Sequence, residues 1–180
     1  MMVLLAALIA SASAEPANFH QTYSVHPLLL PFGRYQVSGE WRTADKVGVM
    51  VTPTFIRIAD YEPGGSDYTY DMIGGTLMAQ GRYYLFGTFS KGWFLGGTGG
   101  GGFVEVTRAD DGAKSTNATL GVGPVAGGKV GFPFGLTLDA DIGLLLGEFV
   151  EAADVGDTST VSQSTFRAQP LLEVRAGWSF

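Results

Sequence analysis

The sequence predicts an all-β chain, an eight-stranded antiparallel up-and-down transmembrane β-barrel. Three observations carry that expectation. Apolar and polar residues alternate over run after run, most runs are long enough to cross a bilayer, and the connections between them alternate between short and long. Of the 180 residues 27 are glycine, and only 16% are charged, against about a quarter in an ordinary soluble domain. Mean hydropathy is +0.19. Yet no stretch beyond the N-terminus approaches the roughly 18 consecutive apolar residues of a membrane helix. The chain is apolar on average but never in a run, as strands with one apolar face require.

Residues 1–14, MMVLLAALIASASA, read as a signal peptide. VLLAALIA supplies the apolar stretch, and Ala12-Ser13-Ala14 is an A-x-A cleavage site before Glu15. No Lys or Arg precedes the apolar stretch, and a buried N-terminal helix is the alternative. Residues 15–180 then form one barrel domain.

Strands are expected at about 18–26, 32–42, 47–58, 73–86, 93–106, 117–131, 136–148 and 166–180. The first, NFHQTYSVH, is short and irregular. In the second, Tyr35, Val37, Gly39 and Trp41 share one face, and Arg34, Gln36, Ser38, Glu40 and Arg42 the other. Leu77, Ala79, Gly81, Tyr83 and Leu85 oppose Thr76, Met78, Gln80, Arg82 and Tyr84. From 136 to 146 the alternation is clearest: Leu136, Leu138, Ala140, Ile142, Leu144 and Leu146 against Thr137, Asp139, Asp141, Gly143 and Leu145. The last strand ends PLLEVRAGWSF, with Leu172, Val174, Ala176, Trp178 and Phe180 on one face and Glu173 and Arg175 on the other.

TADK, FGTFSKG and FPFG are short connections, whereas residues 59–72, 107–116 and 149–165 read as long polar loops. HPLLLPF (26–32) breaks this rule, being short and apolar. Each strand carries charge on the face opposite its apolar one, so two such sheets cannot make a sandwich core. A barrel in lipid needs that inside-out pattern, and closure pairs every backbone group. An even strand number puts both ends on the short-turn side. There Trp41, Tyr83, Phe86, Trp93, Phe132, Phe134, Trp178 and Phe180 gather as an aromatic belt.

The inward faces hold Arg34, Arg42, Arg82, Lys129 and Arg175 against Glu40, Asp139, Asp141 and Glu173. An eight-stranded barrel is just wide enough for side chains to fill, so these charges must pair. A salt-bridged plug is expected, in place of the single-sign ring of an ion-selective pore. The formal charge of −6 collects in the long loops: Asp60, Glu62, Asp67 and Asp71 in one, Glu148, Glu151, Asp154 and Asp157 in another. A solvated rim, or cation bridging to lipopolysaccharide phosphates, would use them.

Other motifs carry less. No basic patch points to nucleic acid, and the absence of cysteine excludes disulfides and thiolate metal sites. GPVAGGKV (123–130) starts like a phosphate loop, but Val130 replaces the needed hydroxyl and no helix follows. GGTGGGG (96–102) has no following helix either. His20, Ser24 and His26 share a face, and with Asp139 or Asp141 could sketch a hydrolase or a metal site; polar lumen lining explains them as well. No cofactor is indicated.

Three stretches, HPLLLPFGRYQVSGEW, GGTLMAQGRYYLFGTFSKGWFLGG and GGKVGFPFGLTLDADIGLLLG, carry a resemblance. The chain resembles small bacterial outer-membrane β-barrels of the eight-stranded OmpA/OmpX-like type, in particular exported barrels with an H/N-P-L-x-L-x-F-G link between their first strands. The resemblance implies export, an outer-membrane location and insertion by the barrel-assembly machinery. In the family that machinery reads a C-terminal aromatic strand end, here Trp178 and Phe180. A monomeric, non-enzymatic barrel with a structural or surface-interaction role is the expectation. A lipid A-modifying enzyme, a small diffusion pore and a soluble lipocalin-like carrier share parts of the pattern.

Overall fold

The computed structural model describes residues 19–62, 69–154 and 160–180. The expectation of a signal peptide at 1–14 lies outside them. β1 (Gln21–Val25) runs into a 3-10 turn (Pro27–Phe32). There follow β2 (Arg34–Ala44), β3 (Val47–Tyr61), β4 (Tyr70–Thr88), β5 (Lys91–Arg108), β6 (Lys114–Gly131), β7 (Leu136–Asp154) and β8 (Thr160–Ser179). Each strand pairs antiparallel with the next, and β1 pairs with β8 to close the ring. The all-β, eight-stranded, up-and-down barrel expected from the alternation is the fold observed.

The faces follow the period-two pattern. Along β2, Tyr35 and Val37 are exposed, while Gln36, Ser38 and Glu40 are buried. Along β7, Ile142 is 63% exposed and Asp141 3%. Thr22, Thr52, Gln80, Arg82, Lys129, Thr137 and Arg175 are likewise buried, whereas Leu77, Trp93, Leu120, Val122, Phe166 and Leu172 lie on the outside. This inverts a water-soluble protein, in which the charged groups face out. The lipocalin-like arrangement, with apolar side chains inward, is therefore not the one adopted.

The strands differ from expectation in two ways. The ladders run further on the long-loop side: β3 reaches Tyr61, β4 begins at Tyr70, β7 reaches Asp154 and β8 begins at Thr160. Most of 149–165 is thus strand, and the β5–β6 connection shrinks to 109–113. Backbone pairing does not need apolar alternation, so the sheet continues past the last apolar band. Residues 63–68 and 155–159 lie outside the described part, and with them Asp67 and Asp157.

The second difference is β1, which has five residues. At about 3.4 Å per residue it spans some 17 Å, a small part of the length of its 20-residue partner β8. Its connection to β2 is therefore made at mid-height on the barrel wall. That explains why HPLLLPF is apolar: Leu28, Leu30 and Phe32 are exposed on the outside. Pro27 opens this turn, and Gly33 ends it at φ 66. A Cβ on Gly33 would stand 2.2 Å from the Arg57 carbonyl oxygen, so the tight return needs glycine.

Candidate functional site: the lumenal charge cluster

Register sets the cluster at one height. Lys129 of β6 pairs with Asp139 of β7, which pairs with Arg175 of β8. Period two then aims Asp139 and Asp141, Glu173 and Arg175, and Gln80 and Arg82 into the lumen as stacked pairs. Glu40 arrives from β2.

Arg82 is the hub. Its Nη1 donates to Asp139 Oδ2 at 2.8 Å, its Nη2 to Asp141 Oδ2 at 2.9 Å and its Nε to Gln80 Oε1 at 3.0 Å. Glu40 Oε2 lies 3.4 Å from Nη1. The guanidinium also sits 4.3 Å above the Phe94 ring. Lys129 Nζ donates to Glu40 Oε2 and to Thr22 Oγ1, both at 2.8 Å, and lies 3.9 Å over Phe89. The Tyr84 hydroxyl donates to Glu40 Oε1 at 2.7 Å. Arg175 donates from Nη1 to Asp141 at 2.7 Å and also pairs with Asp139 and Glu173. Its Nε donates to His26 Nε2 at 3.0 Å.

Three cations thus meet four carboxylates. Fixed forks and a shared lysine satisfy nearly every polar atom, which is what buried charge needs to be tolerated. Asp141 Oδ1 alone in the cluster has no hydrogen-bond partner among the described residues. Toward the short-turn end the cluster rests on Tyr84, Phe89 and Phe94, with the Tyr84 ring centroid 6.0 Å from Phe89 and 5.6 Å from Phe94. A second small network, Thr22–Ser179 at 2.7 Å and Thr137–Ser179 at 2.6 Å, ties β1, β7 and β8 together there.

Of the nine charged residues expected in the lumen network, the structure brings together Glu40, Arg82, Lys129, Asp139, Asp141, Glu173 and Arg175. Two stand apart. Arg42 bonds Asp45 in the β2–β3 turn at 2.5 Å. The ladder register shifts between Arg42 and Ala44 as the barrel ends, so the nearest carboxylate belongs to the turn. Arg34 is exposed and has no ion pair or hydrogen bond among the described residues. It lies six positions from Glu40 along β2 and lines the cavity above the cluster.

Sequence reasoning also missed participants. Tyr84 and Gln80 were on the inward face but carry no charge. Phe89 gave no periodic signal, because it sits in the β4–β5 turn and folds into the lumen. Nor does the Ser/His/Asp set converge. His20 is exposed, His26 is taken by Arg175, and no hydrogen bond joins Ser24 to either histidine among the described residues. Gly123–Val130 lies inside the β6 ladder, where Lys129 is part of the cluster. The glycines at 96–102 let strands approach: a Cβ on Gly102 would stand 2.2 Å from the Gly75 carbonyl oxygen.

Above the cluster, on the long-loop side, the lumen opens into a cavity of about 230 Å³. Arg34, Gln36, Ile56, Leu145, Gln169 and Glu173 are among its lining residues. Gln36 Nε2 donates to Glu173 Oε1 at 3.1 Å at its floor. On the opposite end, outside the wall, Trp178 packs 6.1 Å from Phe134, and Phe180 6.5 Å from Tyr23, whose edge meets Trp41 at 6.2 Å. The Phe180 backbone closes the ring by bonding Gln21 and His20.

No family model and no curated protein matches the chain. Among solved structures it is similar to a major outer membrane protein from Thermus thermophilus. Identity is 14% and the TM-score 0.49, over 89% of this chain and 99% of that chain.

Proposed function

We propose that the protein is a monomeric, non-enzymatic outer-membrane barrel whose lumen is sealed by the Arg82-centred cluster, acting as a structural or surface-interaction element. The observation that carries this reading is the inversion of polarity: buried ion pairs inside the ring, large apolar side chains outside. Only a closed barrel satisfies the backbone in lipid without helices. An outward apolar band with aromatics at its short-turn end fits the membrane interface. Ion pairs that span the lumen from β2, β4, β6, β7 and β8 support the seal, because paired charge offers no single-sign path to an ion.

The remaining elements follow from this. Cleavage after Ala14 would export the chain, and the barrel-assembly machinery would read Trp178 and Phe180. Asp60, Glu62 and Asp71, on the long-loop side, suit divalent-cation bridging to lipopolysaccharide. Cell fractionation with bilayer recording tests the proposal. The expected result is an outer-membrane protein that resists SDS unless boiled and gives no conductance in a planar bilayer. A soluble periplasmic protein with identical boiled and unboiled mobility would refute the membrane reading, and steady open-channel currents would refute the seal.

A further inference from the structure

The barrel wall has a breach. β7 pairs with β8 over its whole length, from Asp154↔Thr160 to Leu136↔Trp178, but β1 pairs with β8 only from Val25↔Ala176 to Thr22↔Ser179. Above Ala176 one edge of β8 meets no strand among the described residues. Its polarity can be read from the paired end. The Phe180 N–H donates to Gln21, on the β1 side, whereas the Ser179 N–H donates to Gly135, on the β7 side. The β7–β8 register is unshifted, so the even residues Val174, Leu172, Pro170, Ala168 and Phe166 all aim their backbone groups at the missing neighbour.

Pro170 falls on that edge, where its lack of an N–H costs nothing. The 3-10 turn approaches β8, yet no backbone hydrogen bond joins it to 166–174 among the described residues. Leu172 is 76% exposed at this height, so the open edge lies within the apolar band. Unpaired backbone groups in hydrocarbon are costly and demand a polar visitor or water from the lumen.

A second observation says what would visit. Arg34, Gln36, Gln169 and Glu173, from the two strands that flank the breach, line the cavity behind it. The cavity is mixed in character: Ile56 and Leu145 offer buried apolar walls, and Arg34 offers a cation without a partner among the described residues. At about 30 Å³ per water-sized group, 230 Å³ holds roughly eight heavy atoms, enough for an acid group and most of a medium-length chain whose end stays in the breach. We propose that the breach between β8 and the 27–32 turn is a lateral portal, through which a single-chain anionic amphiphile of medium length enters the lumenal cavity from the membrane and sets its acid group on Arg34. The charge cluster is the floor that stops it from crossing further. This inference rests on the membrane reading above.

Protein that has first shown heat-modifiable migration is the material for the test, so that failure of the membrane reading is scored separately. Octanoate is titrated into the detergent-solubilised barrel and followed by amide chemical shifts, with octanol and octylammonium as controls. Octanoate should saturably shift Arg34, Leu171 and Glu173, and Arg34→Gln should weaken it about tenfold, as loss of one charge-assisted contact does. Equal shifts with octanol or octylammonium, or an unchanged affinity in R34Q, would overturn the assignment. Amide exchange tests the route. The Phe166, Ala168, Leu172 and Val174 amides should exchange at least about a hundredfold faster than those of Arg167, Gln169, Leu171 and Glu173. Uniform protection would overturn the portal. So would protection that rises with protein concentration, since a second copy would then cover the edge.

Discussion

Arg82→Met removes one cation and keeps most of the side-chain volume. In the native cluster the Arg82 fork serves Asp139, Asp141 and Glu40, and Arg82 is 1% exposed. After the change two cations, Lys129 and Arg175, face four carboxylates in a site without room for bulk water. Breaking a buried pair by removing one partner costs about 3–5 kcal/mol, because the partner's charge is left uncompensated. The lost cation–π contact with Phe94 lies in the same direction. Reversible urea unfolding in lipid vesicles, read by tryptophan fluorescence, measures the difference. Adding Asp139→Asn removes one of the stranded carboxylates, so the double variant should recover roughly 1–3 kcal/mol relative to the sum of the single changes. An R82M cost below about 1 kcal/mol, or strict additivity in the cycle, would refute a tightly coupled cluster.

Phe180→Ala keeps the backbone bonds that close the ring but removes the aromatic end; it should lower the rate and yield of assembly in cells far more than the unfolding free energy of barrels already formed. Equal losses in both, or an unchanged assembly yield, would count against the assembly-signal reading. Gly48→Val places a Cβ 2.6 Å from Glu40 Oε1 and 3.3 Å from Phe89, both held by the cluster; a loss of about 1–3 kcal/mol in the same unfolding assay is expected. In the β5–β6 turn the Arg108 side chain, helped by the Ala113 N–H, holds the Asp111 carboxyl down at about 2. Being depressed in the folded state, it adds to the order of the turn above the ordinary carboxylate range and loses that contribution as pH falls toward 2. A carboxyl carbon titration by NMR should show the low midpoint, and Arg108→Gln should move it up; a midpoint of about 4 in both forms would contradict the contact.

Much of this was legible because a strand's faces are a local property. The alternation from Leu136 to Leu146 already placed Asp139 and Asp141 opposite the apolar face, and Glu173 and Arg175 followed from the same rule in the last strand. Pairing across the lumen is not local. Nothing near Arg82 in sequence says that its partners sit 57 and 59 residues away. Arg34 and Arg42 share the inward face with Glu40, but height along the barrel decides whether a charge meets a partner, and height depends on register between strands. The half-length of β1 was also hidden. Pro27 ends the pattern at Val25, yet only the pairing with β8 shows that the chain turns back inside the apolar band. Thr, Ser and Asp in 149–165 suggested a loop, where the ladder in fact continues to the Asp154↔Thr160 pair.

The central claim is that the outside of this ring faces lipid. Trp41, Trp93 and Trp178 are all exposed on the outer wall near the short-turn end. They make the claim measurable without any variant. In vesicles containing lipids brominated at different chain depths, tryptophan fluorescence should be quenched strongly, and most by bromines near the headgroups. Fluorescence indifferent to brominated lipid, yet freely quenched by aqueous iodide, would contradict it.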